Sequence, residues 1–572
     1  MMKKAQMKIA WLIVACALIV SCKVSQKADL LLYNGEIYTA DSSDAVVEAI
    51  AISGDAVVAT GTLASVKAYV GEDAEMVDLG GAFAMPGLIE GHGHFLGLGK
   101  SLLTLNLSDA QSWSEIVAKT ATAVRAAKPG QWIEGRGWHQ EKWLAETDLR
   151  YNGYPYHDAL SAVSPENPVV LVHASGHALL ANARAMERAR VGPESASPSG
   201  GRIVRDDAGK LTGVFEENAM DIVYRAWETE RDRLPEADRI AALKREAFAA
   251  SEHCLSYGIC SFQDAGSNLE EIRFLKNLCD SGKINTRLWV MLHDQPERMM
   301  TAIEQLPVAF NPQKSFRCNA VKAYADGALG SYGAWLLASY SDKPGFFGQN
   351  TTPLAKLKEL AQACARRDLQ FCVHGIGDRA NREILDIFED ELANRQGEAL
   401  RWRIEHAQHL HHNDIPRFKE LGVIASMQAI HCTSDAPFVV KRLGEQRARH
   451  GAYPWRSLLD AGANLANGTD CPVEPVNPFA CMYAAVTRRR SPTSEAFFPE
   501  QSMRRIEALR SYTIWNAYAA GEETIKGSLE TGKLADIVVL DRNLLHCSDE
   551  ELAQARVLGV YLGGKPVASK KE

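Results

Sequence analysis

The chain has 572 residues, 46% of them hydrophobic and 23% charged, with Lys+Arg 63 against Asp+Glu 71 for a net charge of −8. Charges of both signs are spread along the whole length, which excludes the basic footprint of a nucleic-acid binder and the acidic tail of an interaction segment. The 12 cysteines show neither the tight repeated spacing of a disulfide framework nor a CxxC pair, so most are read as buried free thiols.

At the amino end Lys3, Lys4 and Lys8 precede an apolar run from Ile9 to Val20, the charged-then-apolar layout of a secretory signal. The run is shorter than the ~20 apolar residues of a membrane-spanning helix. It closes on Ile19-Val20-Ser21-Cys22, which resembles a bacterial lipobox. The expectation is a signal peptide over 1–21, lipidation of Cys22 and a membrane anchor through that lipid; an ordinary cleaved signal with an incidental Cys22 is the alternative. Position 23 is Lys rather than Asp, so nothing argues for inner-membrane retention, and the expected location is the cell envelope, at the outer membrane facing the periplasm.

Next in chain order, 28–39 and 47–52 read as short strands divided by turns at Asn34-Gly35 and Ser53-Gly54-Asp55. Segments 527–540 and 557–567 look alike, so the chain is β-rich at both ends, and 22–84 with 521–572 is expected to form one composite β-sandwich domain. Between them apolar strand-like runs alternate with helical stretches, the signature of a parallel α/β sheet. Eight such runs have polar residues at or beside their carboxyl ends: Ala82–His94, Ile259–Ala265, Arg287–Leu292, Ala320–Asp326, Gln370–His374, Trp402–His406, Val423–Gln428 and Asn464–Asp470. The predicted fold is α/β, a (β/α)8 TIM-type barrel over 85–520. The gap between the first two runs exceeds any ordinary crossover and predicts an inserted subdomain at about 99–243.

In Met85-Pro-Gly-Leu-Ile-Glu-Gly-His-Gly-His94 two histidines stand two apart at a strand end. Side chains two apart on an extended chain share a face, so His92 and His94 can grip one metal together. Lys322, His374, His406 and Asp470 each stand at or near the end of a later run, and in a barrel those ends converge on one mouth, where active sites sit.

The order His-x-His, Lys, His, His, Asp resembles the metal site of the amidohydrolase superfamily. Further stretches, Trp132–Trp138, His173-Ala-Ser-Gly-His177 with Asn182, Gly200–Val204, Gly213–Asn218 and Tyr324–Gly330, are similar to its amidohydrolase-3 (YtcJ-like) subgroup, which includes formamide deformylases. The resemblance implies that His92 and His94 bind a deeper metal with Asp470, and that His374 and His406 bind an outer one. Lys322, carboxylated on its amine, would bridge the two. That reaction needs a neutral amine, so burial beside metals must bring the lysine below its ordinary pKa of ~10.4; a simple ion pair with Asp326 is the alternative. Imidazoles, an anionic lysine and one carboxylate suit one or two zinc-like divalent ions better than magnesium or calcium. Asp470 is then the expected general base for water attacking a carbon–nitrogen bond of a small amide, formamide or carbamate.

Other residues are weighed beside this set. His173 and His177 stand four apart without the following glutamate of a zinc protease, and Gly176 argues against a helix, so they read as pocket or structural residues of the insertion. Asp378, His431 and Asp435 follow barrel strands and are candidate substrate contacts. His409, His411 and His412 read as a solvated loop before a helix start at 414–416. Gly97-Leu-Gly-Lys-Ser101 is not a phosphate loop, because the required first glycine is His94. Cyclic-amide hydrolysis or deamination on the same barrel stays open, as does, from another class, a surface-anchored solute-binding protein. A homo-oligomer is compatible with everything above.

Overall fold

The structure is a computed structural model that describes residues 27–143, 150–151, 153–231, 233–393 and 400–569. The expected signal peptide and Cys22 lie outside the described residues. Among those described, no helix is long and apolar enough to cross a membrane.

Eight strands form one sheet in chain order: β1 Leu88–Gly93, β2 Ile259–Ser267, β3 Arg287–Leu292, β4 Phe316–Tyr324, β5 Gln370–Gly375, β6 Arg403–His406, β7 Ile424–Met427 and β8 Asn464–Asn467. Each overlaps one of the apolar runs read from the sequence, with Phe316–Tyr324 beginning four residues before its run, and each pairs in parallel with the next. The runs are apolar almost throughout because a parallel sheet is covered on both faces; β3 and β5 are buried at every position. The seam between β1 and β8 is drawn together by the Asn516 amide, which donates to Ile89 O and Asn467 O at 2.7 Å. Just beyond, Asp470 N–H donates to His92 O at 2.8 Å and His94 N–H to Cys471 O at 2.7 Å. Gly91 permits this approach, since a Cβ there would stand 2.4 Å from Asn467 O.

Packing holds the strand ends in place. Trp402 is fully buried beside β6 and meets Phe388 at 4.9 Å and Phe371 at 5.8 Å between ring centres. Phe388 belongs to α2, Asp378–Leu392, which also buries Ile384 and Leu385 against the sheet; α1, Phe95–Leu103, follows β1 directly.

The chain ends meet in a six-stranded sheet in which Phe83–Pro86 runs antiparallel to Ile537–Leu540. A four-stranded sheet containing Ala28–Tyr33 and Ala49–Ser53 shares an apolar cluster with it, Leu30, Leu32 and Ile50 packing with Ala84, Ile537 and Val539. Arg287 of β3 ties this region to the barrel through a buried pair with Asp536, 2.7 and 2.9 Å. Between β1 and β2 the chain builds another six-stranded sheet with apolar clusters of its own, one around Trp138 and Leu171, another around Phe215 and Met220. Asn182 is structural there: its Oδ1 accepts from Val169 N and Ala185 N, and its amide donates to Ser164 and Asn167.

Candidate active site at the barrel mouth

The residues predicted from the strand ends arrive on one side of the sheet. His92 lies within β1, Lys322 within β4, His374 within β5 and His406 at the end of β6, while His94 and Asp470 stand just past β1 and β8. Asp470 Oδ1 is 3.3 Å from His94 Nε2 and 3.5 Å from His92 Nε2, and Oδ2 is 4.0 Å from His431 Nε2. The His406 ring lies 4.8 Å from that of His92 and 4.5 Å from that of His374. One donor atom each from His92, His406 and Asp470 falls within 4.8 Å of the others. His94 is the most open of these groups, its side chain 31% exposed.

Two of the residues adopt backbone conformations that non-glycine residues rarely take. His406 has φ 75° and Asp470 has φ 55°, left-handed values that cost energy and persist only where the surroundings hold them. At β6 the consequence is specific. Arg403 and Glu405 share one face by the period of two, and the reversed φ lets His406 join Glu405 in facing the other site residues.

Three of the imidazoles, those of His92, His406 and His431, are oriented from behind. His92 Nδ1 is hydrogen-bonded to the buried Glu405 carboxylate, which Arg403 holds in turn at 2.7 and 3.0 Å. That leaves His92 Nε2 buried without a hydrogen-bond partner among the described residues. His406 Nδ1 meets Gln428 Oε1 at 2.7 Å, and the Gln428 amide donates to Ser426 O, which fixes its orientation. Gln408 donates to His431 Nδ1 at 3.0 Å, placing the proton of a neutral ring on Nε2, toward Asp470. A carboxylate or amide behind an imidazole is the usual support of a metal-binding histidine.

The electrostatics suit the same use. Burial, helped by the Lys322 charge, brings His92 down to about 4; burial likewise holds His374 and His406 well below the ordinary imidazole value. All three therefore present neutral lone pairs at pH 7. Burial alone would raise Asp470, but the hydrogen bond from His94 holds it below the ordinary carboxylate value, so it is ionised. Burial lowers Lys322, whose ammonium sits 4.8 Å over the Tyr324 ring. The alternative pairing of Lys322 with Asp326 is not formed, because Asp326 accepts from the backbone N–H groups of Trp335, Ile376 and Gly377. Buried lone pairs without partners beside an ionised carboxylate fit a divalent cation.

A cavity, partly open to solvent, lies over these groups. His173, His177, His431 and Asp435 line it beside His374, His406 and Asp470. Asp378 is not among its lining residues: it is the first residue of α2, and its Oδ1 accepts from Leu337 N at 2.8 Å, a structural position favoured at a helix amino end. His409 corrects the solvated-loop reading, since it is buried with neither ring nitrogen hydrogen-bonded among the described residues. Sequence reasoning did not single out Glu405, Gln408, Gln428, His139 or Glu217. For Glu405 a signal existed, the Arg403-x-Glu405 spacing on one strand face directly before His406.

A parallel eight-stranded barrel sheet that gathers neutral imidazoles and an ionised carboxylate at the carboxyl ends of its strands belongs to the class of (β/α)8 enzymes with a metal-binding donor set. The chain matches the Amidohydrolase family (Amidohydro_3) over residues 75–568 and belongs to it; it is an amidohydrolase. It is 33% identical over 550 residues, 94% of this chain and 91% of the other, to Protein LONG AFTER FAR-RED 3 of Arabidopsis thaliana. It is 26% identical over 549 residues, 95% and 98% of the two chains, to the N-substituted formamide deformylase of Arthrobacter pascens. A solved uncharacterized metal-dependent hydrolase from Pyrococcus horikoshii OT3 superposes with a TM-score of 0.72 at 27% identity, covering 91% of this chain and 99% of that one.

Proposed function

We propose that this protein hydrolyses a carbon–nitrogen bond in a small non-peptide amide, of the formamide or carbamate kind, with Asp470 carrying the proton. The observation that carries the reading is the meeting of His92, His406 and Asp470 donor atoms within 4.8 Å under the cavity. The similarity to a formamide deformylase over 95% of the chain supports the choice of bond. His92, His94, His406 and Asp470 would hold a zinc-like ion, with His374 and Lys322 beside them for a second, Lys322 carboxylated on its amine. A divalent ion bound there supplies Lewis acidity, which polarises a carbonyl and acidifies water.

The chain's own groups do the rest. Asp470 is ionised and has one oxygen toward His92 and His94 and the other toward the cavity and His431, so it can take a proton from attacking water and return it to the departing nitrogen. Gln408 holds His431 with Nε2 toward that carboxylate, steadying the oxygen that exchanges the proton. The cavity walls limit access of bulk water to the same carboxylate. Export with a lipid anchor at Cys22 completes the reading and rests on the lipobox-like Ile19–Cys22 alone.

Elemental analysis of the purified protein, run beside turnover of a panel of N-formyl and N-acyl amines, tests the proposal. One to two zinc-like ions per chain and metal-dependent release of amine are expected. A metal-loaded protein that releases amine from none of the panel sinks the choice of bond.

A further inference from the structure

The inserted region sends into the cavity a second carboxylate–imidazole pair that the mechanism above does not use. His177 stands just before the strand Ala178–Ala181, and Glu217 ends the strand Leu211–Glu217. The Glu217 N–H donates to His177 O at 3.0 Å, and Glu217 Oε2 meets His177 Nδ1 at 2.8 Å, so main chain and side chain both bind the two residues together. The pair lies against the barrel: the His177 ring is 5.0 Å from that of His374, and His177 lines the cavity with Asp470 and His431.

Glu217 is placed there at a cost. Its φ is 50°, left-handed for a residue with a side chain. Its carboxylate is buried in a slot of the loop after β4 that only glycine leaves open. A Cβ on Gly327 would fall 1.9 Å from Glu217 Oε1, and one on Gly333 2.2 Å from it. This gives a physical reason for the glycine of Tyr324-Ala-Asp-Gly327 that metal binding does not supply. The carboxylate thereby spans from the insertion into the barrel loop and sets the imidazole against His374. Nδ1 is committed to Glu217, and Nε2 makes no hydrogen bond to the described residues, so it is the ring atom available to a bound molecule.

We infer that His177 hydrogen-bonds the amide group of the substrate through Nε2 as a catalytic residue supplied by the insertion, and that Glu217, seated in the Gly327–Gly333 slot, is the positioning residue that aims it. The inference rests on the amide-hydrolase reading. Because Nδ1–H is given to Glu217, Nε2 is the accepting nitrogen and takes the substrate N–H; losing a group that holds the reacting amide in line typically costs about 10²-fold in kcat.

The test uses metal-loaded full-length protein with an amide that the wild type turns over, and reads kcat, KM, metal per chain and melting temperature together. His177→Gln is expected to lose about 10²-fold in kcat with its metal retained. Glu217→Gln, which keeps the shape that fills the slot, is expected to lose about 10-fold, mainly in kcat. The double variant should be no slower than His177→Gln, since two residues acting through one contact do not add. Gly327→Ala, which pushes the carboxylate out of its slot, should fall in the same direction as Glu217→Gln, and it carries the test if His177→Gln does not fold. Wild-type turnover in His177→Gln, loss of metal from it, or fully additive losses in the double variant would overturn the inference while leaving the hydrolase reading intact. If the metal-loaded wild type turns over no amide of the panel, so that no such substrate is found, both readings fall.

Discussion

The two walls of the cavity are built on different terms. On the barrel side, His92, Lys322, His374 and His406 ride on strands of one parallel ladder, and their direction follows from a register held by backbone bonds. On the inserted side, His173 and His177 flank a turn through Gly176, and their direction is set by side chains, Gln140 and Ser175 for His173 and Glu217 for His177. A ladder places atoms firmly and varies little; a loop held by a few side chains can be re-aimed without disturbing the fold. Under the proposed function this becomes a division of labour, in which the barrel would hold metal and move the proton while the insertion would meet the substrate.

Several changes would break or sharpen that contrast. The largest effect is expected at Asp470→Asn, which removes the proton carrier while keeping its shape: kcat should fall at least about 10³-fold with the melting temperature little changed, and a variant retaining wild-type kcat would remove Asp470 from the mechanism. Trp402→Ala and Trp138→Ala compare the walls by packing. Both residues are fully buried, and each truncation should cost about 3–5 kcal/mol in denaturant titrations. Metal content should drop at equal temperature only for Trp402→Ala, whereas Trp138→Ala should raise KM with metal retained; the reverse pattern would dissolve the division. Glu405→Gln removes the carboxylate behind His92 and should weaken metal binding about 10–100-fold in a competition with a chelator. The equivalent loss of Glu217 should leave metal affinity alone.

The smallest effect concerns pH. Burial holds His409 down to about 3, so between that value and the ordinary ~6.5 of an exposed imidazole the unfolded chain binds a proton that the folded chain refuses. Its contribution to stability is therefore complete above about 6.5 and is lost as pH falls, by up to about 1.4 kcal/mol per pH unit, until the folded form also protonates near 3. His409→Phe should flatten that part of the stability-versus-pH curve, measured by urea midpoints between pH 4 and pH 7 in about unit steps. An unchanged slope would mean that the ring takes up a proton inside the folded protein.

Much of this was legible beforehand for a local reason. A strand buried on both faces must be an apolar run, and a chemistry-bearing residue at its carboxyl end is visible within a few positions, so the eight strands and the metal-donor candidates could be read in order from residues 82 to 470. The partners behind those residues could not, because they are distant in the chain and chemically ordinary. Glu405 stands 313 residues from the His92 it orients, and the glycines that admit Glu217 lie in a loop more than a hundred positions on. Asp378 and His409 show the converse: a carboxylate or imidazole after a strand looks the same in sequence whether it faces a cavity, starts a helix or is packed away.

Local periodicity determined the elements and their order, because burial on two faces acts residue by residue along a strand. Only the closed tertiary structure decided which side chains face one another across the barrel mouth. That choice depends on register, on left-handed backbone at His406, Asp470 and Glu217, and on space left by glycine, none of which any single segment contains.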